Sequence, residues 1–293
     1  MTDTATATTT TTATTTISID IAANRERVFR ALVSNSELEA WFAEHADVDL
    51  GAERFDFWGR HTPGDPERDE GHHDMRGWEA GRSVAFAWAP RGIPATVRIQ
   101  LDEAHGMTCV TVETAPEGAD FSDFWCLALQ NLRSYVEEGV VAWRPDFALE
   151  FGGEVRLDIT AAVSPEVVYR ALTEPDQLSR WMMADNATVE PAVGGRYDLG
   201  WPEGWGRPLA IVDLEPDKRL TYSWADPAIE GTVVTWELEG SHGATRITLV
   251  HSGFGAEAAS QGGYYGGWAD FLVRLKWMVE KGAAWVGPKW VAP

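Results

Sequence analysis

The side chains best suited to bind a small molecule are aromatic, and they are most numerous in the second half of the chain. The chain has 15 Trp, 6 Tyr and 11 Phe among 293 residues. Paired aromatic rings add about 0.5–1.5 kcal/mol beyond the area that they bury, and flat polycyclic ligands can stack on them. With one histidine, the second-half set that we predict to face inward comprises Trp181, Tyr197, Trp201, Tyr222, Trp224, Trp236, His251, Tyr264 and Trp268. The smaller first-half set comprises Phe55, Phe57, Trp88 and Trp125. Ordinary core filling is the alternative interpretation.

Among the residues predicted to face inward, His251 and a few tyrosines are titratable, and only His251 has an ordinary pKa near neutral pH. It follows Ile247 and Leu249 with the same parity, which places the three on one face of a strand. Such a histidine could contact a ligand hydroxyl or quinone, or act as a general acid or base. A hydrogen-bonded histidine of the core or rim is the simpler interpretation. Its counterpart in the first half is Thr114, so any such role belongs to the second half.

A glycine-rich stretch precedes and enters the last predicted helix. It consists of Gly253-x-Gly255 and the run from Gly262 to Trp268. A phosphate-binding loop would need Gly-Lys-Ser/Thr opening a helix, and this stretch has no Lys. Because glycine lowers backbone order, we expect a flexible lid.

Four potential metal ligands lie close together in the first half. His61, His72, His73 and Asp74 belong to an acidic loop from Gly59 to Gly77. Their spacing matches no rigid metal motif, so we predict no metal and expect a solvated flap at the mouth of the first domain.

Nothing in the sequence supports nucleophilic catalysis. There is no Gly-x-Ser-x-Gly, and Cys109 and Cys126 lie in no recognisable triad context. Two cysteines in so long a chain indicate reduced thiols. We predict no catalytic residue and no cofactor.

The chain contains two copies of one domain. Val28–Leu32 recurs 140 residues later as Val168–Leu172, and Trp125 corresponds to Trp268. A Pro- and Gly-bearing stretch separates the copies. We therefore predict a disordered Thr-rich tail at residues 1–16, a degenerate first domain at 17–145 and a second domain with the fuller motif at 152–287.

Each copy predicts the same order of elements. A first strand precedes two short helices, which we expect to be capped at Asn24 in one copy and Ser164 in the other. Several strands with clean period-two alternation follow, which indicates an antiparallel sheet with one apolar face. A long helix with an apolar stripe closes each copy, beginning at Phe121 or Tyr264. The predicted fold class is α+β, with each sheet wrapped on its long helix.

Composition excludes several kinds of partner. The formal net charge is −21, so nucleic acid and anionic membranes are not expected to bind. No run of about 18 apolar residues is present, and the N-terminus has no basic start or apolar segment typical of a secretory signal. We expect a cytoplasmic protein without a membrane partner.

The second copy resembles a known family. It reads Ser164-Pro-Glu-Val-Val-Tyr-Arg-Ala-Leu-Thr-Glu-Pro175, followed by Trp181 and by Gly194-Gly-Arg-Tyr197. This pattern is similar to the activator of Hsp90 ATPase (AHSA1) branch of the START/Bet v1 (SRPBCC) helix-grip superfamily. In the first copy, Gly51-Ala-Glu-Arg-Phe55 replaces the Gly-Gly pair.

The resemblance implies a curved antiparallel sheet that grips a C-terminal helix around an apolar cavity. Members of the superfamily bind lipids, plant hormones and polyketides, and a few catalyse cyclisations. A calicheamicin-type subset protects enediyne producers by self-sacrifice. In that context the glycine-rich lid could be a cleavage site, because a glycine Cα–H is unshielded from a diradical.

From these observations we predict a non-enzymatic binder of a hydrophobic, polycyclic aromatic molecule that serves sequestration, antibiotic resistance or regulation in secondary metabolism. The second domain is the expected binding unit. One alternative is an enzyme of the polyketide aromatase/cyclase type. Another is a regulatory protein whose acidic surface recruits a basic partner. The oligomeric state stays open, with a monomer that forms an internal pseudo-dimer favoured.

Overall fold

The computed structural model describes residues 14–64, 67–115, 122–150, 152–201, 206–226, 229–255 and 258–290. Most of the predicted tail and the start of the first helical stripe, Phe121, lie outside these ranges. The chain forms two compact units. The first comprises Met1–Trp125, Leu132–Gly139 and Pro288–Pro293, and the second comprises Cys126–Asn131 and Val140–Gly287. These units are clusters of contacts, so the predicted domain boundary between residues 145 and 152 stays a prediction.

The secondary structure alternates groups of strands with helices in the predicted order. The strands are β1 (Thr15–Ile21), β2 (His45–Asp49), β3 (Arg54–Trp58), β4 (Met75–Glu79), β5 (Ser83–Trp88), β6 (Ala95–Ala104), β7 (Met107–Ala115), β8 (Glu154–Ala161), β9 (Thr188–Val189), β10 (Tyr197–Asp198), β11 (Arg207–Glu215), β12 (Arg219–Asp226), β13 (Ile229–Ser241), β14 (Ala244–Ser252) and β15 (Lys289–Trp290). The α-helices are α1 (Arg25–Val33), α2 (Asn35–Trp41), α3 (Ser122–Glu138), α4 (Pro165–Thr173), α5 (Pro175–Trp181) and α6 (Ala258–Lys281). Short 3₁₀ turns lie at Leu50–Ala52, Pro90–Gly92 and Gly282–Ala284.

The first unit contains a six-stranded antiparallel sheet in the order β15-β1-β7-β6-β5-β4, and a separate β2-β3 hairpin. Strand β1 begins at Thr15, so the predicted tail ends too late. Thr15 pairs with Thr114 and Thr16 with Glu113. The β-branched threonines suit a strand, and ladder hydrogen bonds to β7 order them.

The second unit contains a five-stranded antiparallel sheet in the order β11-β12-β13-β14-β8. Alternation along β8 places Val155, Leu157 and Ile159 in the core and the intervening residues outside. Helix α6 packs against β8 and against α4. A sheet with one apolar face wrapped on a long helix is the α+β helix-grip arrangement that the sequence predicts, and it occurs in tandem.

Helix starts follow the predicted caps only in part. The side chain of Asn24 accepts a hydrogen bond from the Arg27 amide at 2.9 Å, as the sequence predicts. Ser164 occupies the N-cap of α4, but its side chain bonds no amide of the helix, and Pro165 sets the helix start instead.

Six strands differ from the prediction. Alternation of Tyr197, Leu199 and Trp201 predicts a strand over these residues, but β10 stops at Asp198, and the sequence predicts none of β2, β4, β9, β11 and β15. Register shifts interrupt β11, and its Leu209 and Val212 are exposed, so it lacks the clean alternation that reveals a half-buried strand. Among the described residues, no helix combines the length and the apolar character needed to cross a membrane.

Candidate functional site

The predicted aromatic residues of the second half lie in one core. All are buried except Trp201 and Tyr264, which are partly exposed. The strands supply Tyr197, Tyr222, Trp224 and Trp236, all of which are buried. Trp181 comes from α5, and Tyr264 and Trp268 lie four residues apart on one face of α6.

These rings contact one another. Tyr197 stacks on Tyr222 with ring centroids 4.5 Å apart. Trp236 contacts Trp181 at 5.7 Å and Trp268 at 6.1 Å, in both cases edge to face. In the described residues the rings therefore pack as a core, and their contact with a ligand stays a prediction.

Most polar atoms of these rings are satisfied within the core. The Trp181 indole donates to the Ala171 carbonyl at 2.9 Å, and the Tyr197 hydroxyl donates to the Leu172 carbonyl at 2.8 Å. The Trp236 indole donates to the Tyr222 hydroxyl at 3.0 Å. Burial raises the pKa of both tyrosines above the ordinary value, so both phenols stay protonated. These bonds orient rings and leave no group poised for chemistry.

Polar groups converge at one end of the core, in a group that we call the rim cluster: Trp224, Asp226, His251, Tyr264 and Trp268. The Tyr264 hydroxyl donates to the Asp226 carboxylate, and the Trp224 indole donates to the same hydroxyl at 2.9 Å. Burial, and next the carboxylate of Asp226, raise the pKa of Tyr264 above its ordinary value. Because Tyr264 and Asp226 are only partly buried, the rim cluster reaches the surface on this side.

His251 is the fully buried member of the rim cluster. The Trp268 indole lies 3.0 Å from its Nδ1, and because an indole N–H can only donate, Nδ1 is the acceptor. Burial lowers the pKa of His251 to about 3, so the ring is neutral and its hydrogen is on Nε2. That Nε2 has no hydrogen-bond partner among the described residues. The site therefore contains one buried, unpaired donor.

Aromatic rings surround this donor. The ring centroids of Phe254 and Tyr264 both lie 4.5 Å from that of His251, and the centroid of Trp224 lies 5.6 Å away. An unpaired N–H among such rings is strongly desolvated, which makes it a strong donor to any acceptor that reaches it.

The backbone of Gly206 packs closely against the polar atoms of the rim cluster. A Cβ at this position would lie 2.6 Å from the Tyr264 hydroxyl, 2.7 Å from the Trp224 indole nitrogen and 3.1 Å from an Asp226 oxygen. Only glycine lets the backbone approach these three polar atoms so closely.

The last helix begins earlier than the stripe from Tyr264 predicts. Helix α6 begins at Ala258 and therefore includes Gly262 to Trp268. Burial of the aromatic stripe of α6 outweighs the low helix propensity of glycine, and the movement of this stretch as a lid stays a prediction. Gly253 and Gly255 do lie outside the helix, both with positive φ.

The first-unit residues predicted to bind a ligand are also packed as a core. Phe57 lies 5.6 Å from Trp88, and Trp88 lies 5.8 Å from Trp125. A cavity of about 10 Å³, room for roughly one water, is lined by Leu32, Leu38, Trp41, Phe42, Phe55, Phe86, Ile99 and Trp125.

The acidic loop of the first unit is shorter and more packed than expected. Strand β4 begins at Met75, and His73 is buried with its ring stacked 3.9 Å from that of Phe57. His72 is exposed and lies 3.0 Å from the Asp56 carboxylate. The described part of the chain contains no group of three or more His, Cys, Asp or Glu side chains placed to hold a metal ion.

Sequence reasoning missed three residues of the site. Asp226 follows Trp224 by two positions, so strand parity could have placed it on the same face. Phe254 follows the end of β14 and Gly206 precedes β11, and neither position carries a periodic signal.

Three solved structures have detectable similarity to this chain. MLL2253 from Mesorhizobium loti is 29% identical over 44% of this chain and 98% of its own, with a TM-score of 0.39. The Aha1 dimer from Colwellia psychrerythraea is 25% identical over 45% and 98%, with a TM-score of 0.40. DynU16, from the dynemicin biosynthetic locus, is 17% identical over 92% and 98%, with a TM-score of 0.33. All three TM-scores are 0.40 or lower, so the overall structures superpose only in part.

No curated protein matches this chain. The family described as activator of Hsp90 ATPase homolog 1-like protein matches residues 22–137 and residues 162–280. The two segments together cover most of the chain, and each has the strand, helix and long-helix order described above. The chain therefore belongs to the activator of Hsp90 ATPase homolog 1-like family, with two family segments in tandem.

Proposed function

We propose that the second unit binds a flat aromatic small molecule whose hydrogen-bond acceptor pairs with Nε2 of His251. The observation that carries the proposal is the complete burial of this N–H without a partner. A buried donor left unsatisfied costs about 1–3 kcal/mol, and native structures contain few of them. A carbonyl oxygen of a ligand would remove that cost.

The surroundings of His251 support an aromatic ligand. Phe254, Tyr264 and Trp224 present ring faces and edges within 6 Å of the imidazole centroid. Tyr264 is partly exposed, so its ring is the member of the set that a ligand could displace from the surface side. A flat ligand ring in that place would recover the lost ring contacts and add a hydrogen bond.

The protonation of the site favours binding over acid–base catalysis. His251 is neutral near pH 7, its Nδ1 is engaged by Trp268 and its Nε2 already carries a hydrogen. The Tyr264 phenol is held protonated beside Asp226. A cyclase would need a group that accepts or donates a proton at working pH, and neither residue is poised to do so.

The biological setting of the binding is proposed from the family resemblance. We propose that it serves sequestration, resistance or regulation in secondary metabolism. An acidic regulatory protein is the remaining alternative, and it rests on the formal charge of −21.

The test uses two ligands of the same shape that differ in one acceptor. 9-Fluorenone carries a carbonyl where fluorene carries a methylene group. Tryptophan fluorescence of the full chain is titrated with each ligand, for the natural sequence, His251→Phe and the first-unit control Thr114→Val. We expect fluorenone to bind about 2–10 times more tightly than fluorene, the range that one net hydrogen bond supplies.

The preference for fluorenone should disappear in His251→Phe and persist in Thr114→Val. Equal affinities for the two ligands in the natural sequence would refute a role for the His251 donor. A change in ligand mass after incubation would instead support the enzyme alternative.

A further inference from the structure

Three of the five residues that directly precede Trp268 in α6 are glycines. We call this segment, Gly263–Gly267, the glycine turn. A Cβ at Gly263 or at Gly266 would meet no atom within 4 Å, so neither glycine is required by close packing. Each glycine in a helix interior lowers helix stability about fivefold relative to alanine. The glycines therefore lower the helix stability of this segment, although the surrounding structure has room for alanine at Gly263 and Gly266.

Two tyrosines attach the glycine turn to different parts of the second unit. Tyr264 contacts the sheet, where its hydroxyl donates a hydrogen bond to Asp226 and accepts one from the Trp224 indole. Tyr265 is buried and accepts a hydrogen bond from the Asp146 amide at 2.9 Å. The turn is thus attached by side-chain contacts at two points, while its backbone favours opening.

One residue of the glycine turn packs against the imidazole that carries the unpaired donor. The ring of Tyr264 lies 4.5 Å from the imidazole and is the partly exposed member of the rings around it. Trp268, the next residue after the turn, is buried and bonded to Nδ1 of His251. Motion of the turn would therefore remove one of the rings packed against His251 and leave the Trp268 hydrogen bond in place.

We infer that the glycine turn is a gate that opens by local unfolding, with its hinge at Gly266–Gly267. Opening breaks the contacts of Tyr264 and Tyr265 and leaves α6 intact from Trp268 onward. Segments that open locally are those whose hydrogen bonds are supported by few buried contacts. The role of the gate in ligand entry rests on the proposed function, whereas its opening does not.

Hydrogen exchange of the full chain measures the opening directly. The variants are Gly263→Ala with Gly266→Ala, Tyr265→Phe, and the control Gly243→Ala, which adds a methyl group in open space in the β13–β14 turn. We expect the double variant to slow exchange of the amides of Tyr264 to Trp268 about 25-fold, from two fivefold effects. Tyr265→Phe should accelerate the same amides, and Gly243→Ala should leave them unchanged.

Amides farther along α6, from Leu272 to Val279, serve as the internal reference and should not respond. Unchanged exchange at Tyr264–Trp268 in the double variant would refute the opening. So would equal slowing along the whole helix, because the turn would then unfold only with the rest of the unit.

Stopped-flow tryptophan fluorescence with 9-fluorenone tests the entry role. The association rate should fall in the double variant by a factor similar to the slowing of exchange. Slower exchange with an unchanged association rate would refute entry through the turn. Absence of fluorenone binding to the natural sequence would count against the proposed function and against the entry role, while the exchange result would still decide the opening.

Discussion

Acid should destabilise the second unit through His251, and the size of the effect follows from its burial. The folded state holds the pKa of His251 at about 3, whereas the ordinary value is 6.5. Between these two pH values the unfolded chain binds a proton that the folded chain excludes, so stability falls as the pH falls through 6.5. This pKa difference lowers the free energy of unfolding by about 5 kcal/mol in total once the pH has fallen to 3 or below. About 2 kcal/mol of that decrease occurs between pH 7 and pH 5.

His251→Phe isolates this term from the other titrating groups. The variant keeps a buried ring and removes the titration, at the cost of the acceptor for the Trp268 indole. That cost is the same at both pH values, so it cancels when the pH dependence is compared. The matched control is His242→Gln, because His242 is exposed in the β13–β14 turn.

The assay is urea denaturation of the full chain, followed by tryptophan fluorescence at pH 7 and pH 5. The natural sequence and His242→Gln should lose about 2 kcal/mol more than His251→Phe over this interval. Equal losses in all three proteins would show that His251 does not exclude a proton in the folded state, and the assigned tautomer with its unpaired Nε2 donor would then be wrong.

Two further substitutions test the packing around the site. Asp270→Asn removes the charge that pairs with the fully buried Arg274 at 2.7 Å, and we expect the free energy of unfolding in urea to fall by about 3–5 kcal/mol. The control Asp158→Asn breaks an exposed ion pair and should lower the same free energy by less than about 1 kcal/mol. A loss at Asp270 no larger than at Asp158 would contradict this. Gly206→Ala places a Cβ 2.6 Å from the Tyr264 hydroxyl and should cost about 1–3 kcal/mol in the same assay; unchanged stability would show that the backbone at Gly206 can shift.

The fold could be predicted because its signals are periodic and repeated. Alternation in strands such as β8, and the three- and four-residue spacing in α6, each gave one buried face. The duplication provided a second example of most elements, so that a weak signal in one copy was supported by the other. Strand β11 was not predicted, because its register shifts disrupt the alternation on which strand predictions depend.

Strand alternation predicted which residues of the site face inward, and nothing further about the site. Parity placed Trp224, Trp236 and His251 on the inner face, where the structure has them. It gave no information on whether the rings enclose space or fill it, because that depends on distances across the core. It also could not show that the Trp268 indole donates a hydrogen bond to Nδ1 of His251, or that Nε2 has no partner among the described residues.

The glycine-rich stretch shows how local propensity can mislead. Glycine content predicts a flexible lid before a helix that begins at Tyr264, yet α6 begins at Ala258, and burial of Tyr265 and Trp268 stabilises the helix more than glycine weakens it. The competing effects are close in size, since each glycine costs about 1 kcal/mol and each buried ring contributes a few.

Strand β15 gives the chain a constraint on the order in which it can fold. Lys289 and Trp290 pair with Ser18 and Ile17, so the first sheet takes one edge strand from a segment that follows the whole second unit. During synthesis β1 emerges early, and its outer edge remains unpaired while more than two hundred residues are added. An open edge can recruit other strands, so the first unit is most exposed to mispairing on the ribosome before β15 arrives.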